Sequence, residues 1–227
     1  ATYGIDLFIE KPLSNKMHGV EGLLNLSRER RLILMVGYNL RFSKSLGIVR
    51  QSLQNETIGR VQSVLAEAGQ YLPDWRPIDY RQSVSAKRDL GGGVVFELSH
   101  ELDYLRWFFG EVKTVNSQLS KTSILDIDVE DTANIFLEFK SGIVGNLHLN
   151  MTQRIPSRSC TIHGESGVIK WNGLTDQVSL YQCKTRKWQE LNTLAEIDRN
   201  MTYIKEVEHF FRCTENRQDP LIDGESA

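Results

Sequence analysis

Three short groups of residues in this sequence carry side chains that could bind a ligand or transfer a proton. They are Glu10-Lys11-Pro12, then Gly37-Tyr38-Asn39-Leu40-Arg41, then three glycines at 91–93 that lead to His100 and Asp103. A neutral imidazole can accept a proton at neutral pH, and an ammonium can stabilise a nearby negative charge. Taken singly, each group has a more ordinary explanation, since helical histidines, solvated lysines and glycine-rich loops are common. The order and spacing of the groups are the distinctive feature.

The elements around the first two groups follow a strand–helix–strand order. Residues 5–9 alternate as a short apolar strand, residues 13–31 are predicted to form a helix, and Leu32–Val36 has the apolar run typical of a strand buried on both faces. A further helix is predicted at 42–53. This order indicates a βαβ crossover in an α/β domain, with Lys11 in the turn after its first strand.

The pattern changes after residue 60. A strand is predicted at Val61–Gly69, a loop containing proline and tryptophan at 71–89, and one helix after the glycines. Strands then follow at 112–119, 132–139, 143–151, 159–163, 167–171 and 177–181, which favours an antiparallel sheet with meander connections. Residues 200–212 are predicted to form an amphipathic helix with Met201, Ile204, Val207 and Phe211 on its apolar face. We therefore predict two domains, 1–57 and 58–227.

The helix after the glycines would direct His100 away from its apolar side. On a helical wheel, Leu98, Leu102, Leu105 and Phe109 form one apolar face. His100 lies on the other side, in a stripe that also contains Glu97, Tyr104 and Trp107. A polar and aromatic stripe of this kind could line a pocket.

The composition argues against several classes of partner. The chain is 40% hydrophobic and 25% charged, its net charge is -2, and it has no Lys/Arg-rich block. Nucleic acids and anionic membranes are bound through concentrated positive charge, so neither is expected. The sequence shows no transmembrane stretch and no signal peptide. Cys160, Cys183 and Cys213 are widely separated, and we expect reduced thiols in a cytoplasmic protein rather than metal ligands. A small molecule is the expected ligand.

Taken together, the three groups closely resemble the Gfo/Idh/MocA family of NAD(P)-dependent oxidoreductases, over essentially the whole chain. The resemblance implies an α/β fold in which the C-terminal part of a Rossmann domain is followed by an α+β domain with a large, mostly antiparallel open sheet. It also implies hydride transfer between NAD or NADP and a hydroxyl or keto group of a sugar, nucleotide sugar or cyclitol.

By this resemblance, Lys11 and His100 match the active-site lysine and histidine of the family. His100 would accept the hydroxyl proton and Lys11 would stabilise the alkoxide-like oxygen, while the peptide before Pro12 is commonly cis. The family usually has an aspartate four residues before the histidine, where this chain has Phe96. Either Glu97 takes that role, with the helix shifted by one residue, or the carboxylate is not needed. We favour Glu97, because it would share a helical face with His100.

The resemblance also indicates binding residues. The expected cofactor contacts are Glu10, Lys11, Pro12, Tyr38 and Arg41, although Arg41 could instead be structural. Aromatic and guanidinium groups suit stacking on a sugar ring and gripping a carboxylate or phosphate. The expected substrate contacts are therefore Tyr71, Trp75, Arg76, Tyr80 and Arg81, with Asp103 from the helix. Alternatively, the aromatic side chains of this loop merely pack on the sheet.

The Gly-x-Gly-x-x-Gly fingerprint that binds the cofactor's phosphates in the family is absent from these 227 residues. We expect it upstream, in the first βαβ units of the Rossmann domain, and we expect the 227 residues alone to be inactive and to bind NAD(P) negligibly. Two alternatives stay open: an NAD-dependent glycoside hydrolase and a non-enzymatic sugar-binding or assembly module. The open sheet is expected to form the interface of a homo-oligomer.

Overall fold

The computed structural model describes residues 3–192 and 200–227. These residues form two compact units, 3–43 with 200–227 and 44–192. In chain order the helices and strands are β1 (Leu7–Glu10), α1 (Val20–Glu29), β2 (Leu34–Gly37), α2 (Lys44–Gln54), β3 (Val61–Gly69), α3 (Val94–Glu97), α4 (His100–Phe109), β4 (Val112–Ser120), β5 (Thr132–Phe139), β6 (Val144–Asn150), β7 (Ser157–Gly164), β8 (Gly167–Asn172), β9 (Gln177–Gln182), β10 (Lys187–Glu190) and α5 (Asn200–Asn216).

The first unit contains the predicted βαβ crossover. Strands β1 and β2 pair in parallel, from Leu7 opposite Leu34 to Glu10 opposite Gly37. All four residues of β2 are buried, as its apolar run predicts. Helix α1 begins only at Val20, because residues 11–19 form bends and turns after the strand, so the predicted helix at 13–31 is too long. The crossover itself is confirmed.

Helix α5 belongs to this first unit. Asn39 donates a hydrogen bond from Nδ2 to Thr202 Oγ1 at 2.9 Å, and the rings of Phe8 and Phe210 lie 5.6 Å apart. The predicted helix is present, but its predicted apolar face is not the face that packs. Met201, Ile204, Val207 and Phe211 are between 41% and 58% exposed. Glu206 and Cys213 are buried instead.

The second unit is built on an eight-stranded sheet in the order β10-β9-β8-β7-β3-β6-β5-β4. Among its described strands, β3 and β6 pair in parallel and every other neighbouring pair is antiparallel. The predicted mostly antiparallel sheet is confirmed, but the meander is interrupted because β3 lies between β7 and β6. Strand β10 was not predicted, since none of its residues is buried and its apolar pattern is weak.

Helices cover one face of this sheet. Trp171 donates from Nε1 to Ser45 Oγ at 2.8 Å, which ties β8 to α2, and Tyr104 of α4 packs edge-on against Trp171. Helix α2 therefore belongs with the second unit, and the units separate after Ser43 rather than near residue 57. The division of function between 1–57 and 58–227 stays a prediction. On the opposite face of the sheet, Leu65, Phe136 and Val144 are about half exposed within the described part of the chain.

The glycine run fits closely against its own chain. A Cβ on Gly92 would lie 2.3 Å from the Val84 carbonyl oxygen, and one on Gly93 would meet the Glu130 carboxylate. Gly93 has a φ of 117°, a conformation that side chains rarely adopt. The glycines thus allow a close approach of protein to protein at the start of α3.

Gly92→Ala is expected to lower the free energy of unfolding by about 1–3 kcal/mol or more, because backbone carbonyls cannot move aside at low cost. Gly47→Ala is the matched control, since Gly47 lies within α2 and a Cβ there meets nothing within 4 Å. The control should stabilise the protein by about 0.5–1 kcal/mol. Urea denaturation followed by circular dichroism measures both. Equal effects of the two substitutions would contradict the close packing at Gly92.

Candidate functional site

The turn that contains Lys11 lies at the carboxyl ends of two parallel strands. Strand β1 runs directly into Lys11, and Gly37 ends β2 opposite Glu10. The Lys11–Pro12 peptide is cis. The backbone N–H of Lys11 donates to Glu10 Oε2 at 3.1 Å, and a Cβ on Gly37 would lie 3.4 Å from Glu10 Cα. In α/β sheets the carboxyl edge is where ligands bind.

Glu206, on α5, was not among the residues predicted for this site. Its side chain is 1% exposed, and Oε1 has no hydrogen-bond partner among the described residues. Burial, followed by the negative charge of Glu10, raises the pKa of Glu206 to about 8. Thr202 and Phe210 of α5 both contact the rest of the first unit. Glu206 lies four residues from each of them and therefore on the same helix face, which is the signal that the sequence offered. A neutral carboxyl group therefore lies near the Glu10-Lys11-Pro12 turn.

This pKa predicts a pH dependence of stability. The folded state holds a proton on Glu206 that an unfolded glutamate, with its usual pKa of 4.5, has lost, so stability should fall as pH rises from about 4.5 to about 8. We expect Glu206→Gln to match the wild type at pH 5 and to exceed it by about 2–4 kcal/mol at pH 8.5. Urea midpoints at both pH values measure the difference. Glu208→Gln, an exposed control on the same helix, should show no such divergence.

Two predicted cofactor contacts are largely buried within the first unit. Tyr38 is 6% exposed and packs in the apolar cluster of Met35, Val36 and Ile222. Arg41 is 9% exposed and donates from Nη1 to the Leu221 carbonyl oxygen at 3.2 Å. Both side chains support the turn that follows β2. Their direct contact with a cofactor stays a prediction.

His100 begins a helix of its own. The predicted single helix is broken at Leu98 and Ser99, so that α3 ends at Glu97 and α4 starts at His100. The argument that Glu97 and His100 share one continuous helical face is therefore wrong. The break follows a tight connection in which Val94 N–H donates to the Glu130 carbonyl oxygen at 3.1 Å. A catalytic role for Glu97 stays a prediction.

A buried ion pair fixes the first turn of α4. The guanidinium Nε of Arg158, on β7, lies 2.8 Å from Oε1 of Glu101, and the Glu101 side chain is fully buried. Tyr104 and Cys160 lie in the same cluster. Burial is the main cause of the raised pKa of both the Tyr104 hydroxyl and the Cys160 thiol, and the negative charge of Glu101 adds to it. Tyr104 therefore belongs to the core and not to the predicted pocket-lining stripe.

The predicted substrate loop is held by contacts of its own. Arg81 binds Asp79 through Nε and Nη2, at 2.9 and 2.7 Å, so its guanidinium is engaged within the loop. Tyr80 accepts a hydrogen bond at its hydroxyl from Asp126 N–H at 3.2 Å. Arg154 of the β6–β7 loop, which was not predicted, lies 3.6 Å above the Tyr71 ring centroid.

The remaining predicted substrate residues differ in accessibility. Trp75 is partly buried and Arg76 is exposed, whereas Asp103 is only 6% exposed on α4. All predicted substrate residues and His100 belong to the second unit, while Glu10, Lys11, Pro12, Tyr38 and Arg41 belong to the first. Substrate and cofactor contacts by these residues stay predictions.

Comparison with known proteins identifies the group to which this fold belongs. A family model described as the GFO/IDH/MocA C-terminal domain matches residues 48–170, more than half of the chain. The chain belongs to the Gfo/Idh/MocA family. The matched residues 48–170 include the three glycines at 91–93, helices α3 and α4, and most of the eight-stranded sheet.

Curated relatives in the Gfo/Idh/MocA family include dehydrogenases of cyclic polyols and sugars. Myo-inositol 2-dehydrogenase of Thermotoga maritima is 26% identical over 96% of this chain and 65% of its own length. Levoglucosan dehydrogenase of Pseudarthrobacter phenanthrenivorans is 24% identical over 76% of this chain and 50% of the relative. The chain thus spans between half and about two thirds of the length of these relatives.

A solved Gfo/Idh/MocA structure shares the fold. Levoglucosan dehydrogenase in complex with NADH superposes with a TM-score of 0.88, covering 99% of this chain and 68% of that one, at 20% identity. Two further observations concern residues 3–192 and 200–227. None of their helices combines the length and hydropathy needed to cross a membrane. They also contain no group of three or more His, Cys, Asp or Glu side chains arranged to hold a metal ion.

Proposed function

We propose that the whole protein transfers a hydride between a nicotinamide cofactor and a hydroxyl or keto group of a sugar, nucleotide sugar or cyclitol. The observation that carries this proposal is the position of Lys11, in the turn at the carboxyl ends of β1 and β2. Ligands of α/β domains bind at that edge. Family membership supports the same activity, since curated relatives are named as dehydrogenases of inositol and levoglucosan.

His100 acts as the general base in the direction of oxidation. It occupies the first position of α4, whose next residue is clamped to β7 by the Glu101–Arg158 ion pair. This clamp limits movement of the helix turn that carries the imidazole. A neutral imidazole accepts the hydroxyl proton, and the Lys11 ammonium stabilises the negative charge that develops on the same oxygen.

The described residues at the carboxyl edge of β1 and β2 fit the nicotinamide end of NAD or NADP. The turn of Glu10, Lys11 and Pro12 would contact the nicotinamide. Tyr38 and Arg41 would support the neighbouring turn after β2. The half-buried Lys11 and the nearby buried, unpartnered Glu206 Oε1 make a polar environment there. When bound, the nicotinamide accepts or supplies the hydride, while the protein contributes orientation and electrostatics.

The protein also associates with further copies of itself through the sheet face opposite the helices. Leu65, Phe136 and Val144 are 49%, 57% and 52% exposed on that face, and apolar side chains grouped in this way favour association. We place the protein in the cytoplasm, in keeping with its three free thiols. No observation favours the glycoside hydrolase or the non-enzymatic module over the dehydrogenase.

Absorbance at the NADH wavelength tests the proposal. The whole protein is incubated with NAD⁺ or NADP⁺ and a panel of cyclitols, sugars, sugar acids and nucleotide sugars. We expect reduced cofactor to accumulate with at least one polyol, and the Lys11→Met variant to lose that activity. Release of free sugar without net NADH would favour glycoside cleavage instead. A protein that binds sugars but shows no cofactor chemistry at all would overturn the proposal.

A further inference from the structure

Arg154 lies against an aromatic ring at the surface of the second unit. Its guanidinium carbon lies 3.6 Å from the centroid of the Tyr71 ring, so the two planar groups are in direct contact. Arg154 is exposed and Tyr71 is partly buried. A guanidinium held against an aromatic ring keeps N–H groups that can bind a planar acceptor with two oxygens.

The loop that carries Arg154 is fixed on both sides of it. Thr152 N–H donates to Asn150 Oδ1 at 2.6 Å, and Gln153 Nε2 donates to the Ile155 carbonyl oxygen and to Ser157 Oγ, both at 2.8 Å. The Gln153 side chain also rests on Gly69, where a Cβ would collide with it. The backbone around Arg154 is therefore held in place before any ligand arrives.

Tyr71 is fixed by the same end of the sheet. Gln70 N–H and Leu72 N–H, on either side of it, donate to the carbonyl oxygens of Asn150 and Met151 at 3.0 and 2.8 Å. These two bonds hold the backbone that carries the Tyr71 ring. A fixed aromatic platform lowers the entropy that a stacked arginine must lose when it binds a ligand.

The Tyr71–Arg154 pair lies at the sheet end that also anchors the first turn of α4. Strand β3 ends at Gly69, which pairs with Asn150 at the end of β6 and with Ser157 at the start of β7. Arg158, the next residue of β7, reaches Glu101 beside His100. The pair and the proposed base are thus attached to the same strand ends.

Unlike Arg158 and Arg81, Arg154 has no carboxylate partner among the residues that the structure describes. Arg158 pairs with Glu101 and Arg81 pairs with Asp79. Among residues 3–192 and 200–227, no hydrogen bond or ion pair engages the guanidinium of Arg154. An arginine that is stacked, pre-positioned and without an anion is suited to receive one from a ligand.

We propose that Arg154, supported by Tyr71, binds an oxyanion of the substrate, so that the protein acts on an anionic sugar derivative. This inference rests on the proposed function and narrows its substrate class. The oxyanion is either a sugar carboxylate or a phosphate of a nucleotide sugar, and both present the paired oxygens that an arginine binds. Neutral cyclitols and sugars lack this group and gain nothing from Arg154.

Isothermal titration calorimetry of the whole protein tests this with probes that separate the two sources. D-glucuronate carries a carboxylate without phosphate, UDP-glucose carries a pyrophosphate without carboxylate, and D-glucose carries neither. We expect one anionic probe to bind at least about 10-fold more tightly than D-glucose, since hydrogen bonds to charged groups are the strong ones. The probe that binds identifies the source of the anion.

Variants assign the effect to Arg154. Arg154→Gln should weaken binding of the preferred anionic probe by about 10- to 100-fold and leave D-glucose unchanged, and Arg154→Lys should restore only part of the loss. Tyr71→Leu should act in the same direction through loss of the platform. Arg60→Gln is the matched control, because Arg60 is an exposed arginine at the opposite end of β3 and removes the same charge.

Two outcomes would overturn the inference. One is equal affinity for the three probes, and the other is an Arg154→Gln variant that binds the anionic probe as tightly as the wild type does. Calorimetry reports binding without turnover, so absence of hydride transfer would reject the dehydrogenase activity and leave the anion site standing. Conversely, a protein that oxidises neutral polyols and ignores both anions would keep the activity and reject the site.

Discussion

Arg158→Met is expected to lower the free energy of unfolding by about 3–5 kcal/mol, the cost of breaking a buried ion pair by removing one partner. The Glu101 side chain has 0% exposure, so the variant leaves a carboxylate in the interior without its guanidinium. Glu101→Gln should cost less, about 1–3 kcal/mol, because the Arg158 side chain keeps 25% exposure and its charge can reach water. Substitution of Arg158 should therefore lower the free energy of unfolding more than substitution of Glu101 does.

A double-mutant cycle measures the coupling between them. The double variant Glu101→Leu, Arg158→Met replaces both charges by apolar groups and should recover most of the stability, because buried pairs are often replaceable in this way. Urea denaturation of the wild type, Glu101→Leu, Arg158→Met and the double variant gives the four free energies of the cycle. Arg60→Gln, which breaks the exposed pair with Glu165, should cost less than about 1 kcal/mol. If the double variant lost as much free energy of unfolding as the two single variants together, the two side chains would act independently.

The ion pair also explains why a buried charge can be useful at this point of the fold. Glu101 is in the first turn of α4, where a negative charge is favoured by the helix dipole. The Glu101–Arg158 ion pair joins α4, which begins with His100, to β7. Arg158 is the second residue of that strand. The ion pair therefore restrains the helix start more tightly than apolar packing alone would, at the residue next to the proposed base.

The strand pattern of the sequence carried most information about the fold. Val61–Gly69 and Thr132–Phe139 were predicted with their observed bounds, because alternating burial gives a strong period of two. The position of β3 between β7 and β6 could not be predicted, since strand order depends on long-range pairing and not on local pattern. The exposure of the apolar face of α5 could not be predicted either. The spacing of apolar residues shows that they share one face of the helix, but it does not show whether another element packs against that face.

Residues of the candidate site could be proposed from the sequence only where they form part of a motif. Lys11 and His100 were predicted from the order and spacing of three residue groups, and their roles stay predictions. The family that these groups indicate is confirmed by the match over residues 48–170. Glu206, Arg154 and the Glu101–Arg158 pair were missed because each depends on residues that are distant in sequence. The break between α3 and α4 was missed because Leu98 and Ser99 carry no glycine or proline to mark it.

His100→Gln is expected to reduce kcat for the oxidation of a hydroxyl substrate by about 10²- to 10⁴-fold, the usual contribution of a general base. The side chain is partly exposed at the first position of α4, so the substitution should leave the fold intact. Glutamine keeps a polar group of similar length but cannot accept and release the proton. The measurement is steady-state kinetics of the whole protein with the substrate found active in the absorbance assay.

The pH profile separates a catalytic imidazole from a structural one. A general base must be neutral to act, so wild-type kcat/KM should rise with pH through the range in which an imidazole loses its proton and then level off. His100→Gln should lack this rise, because no group at position 100 then titrates. His18→Gln, at an exposed position before α1, should keep both the rate and the profile. If His100→Gln instead lost stability in step with activity and retained the rise, His100 would be a structural residue and another group would have to take the proton.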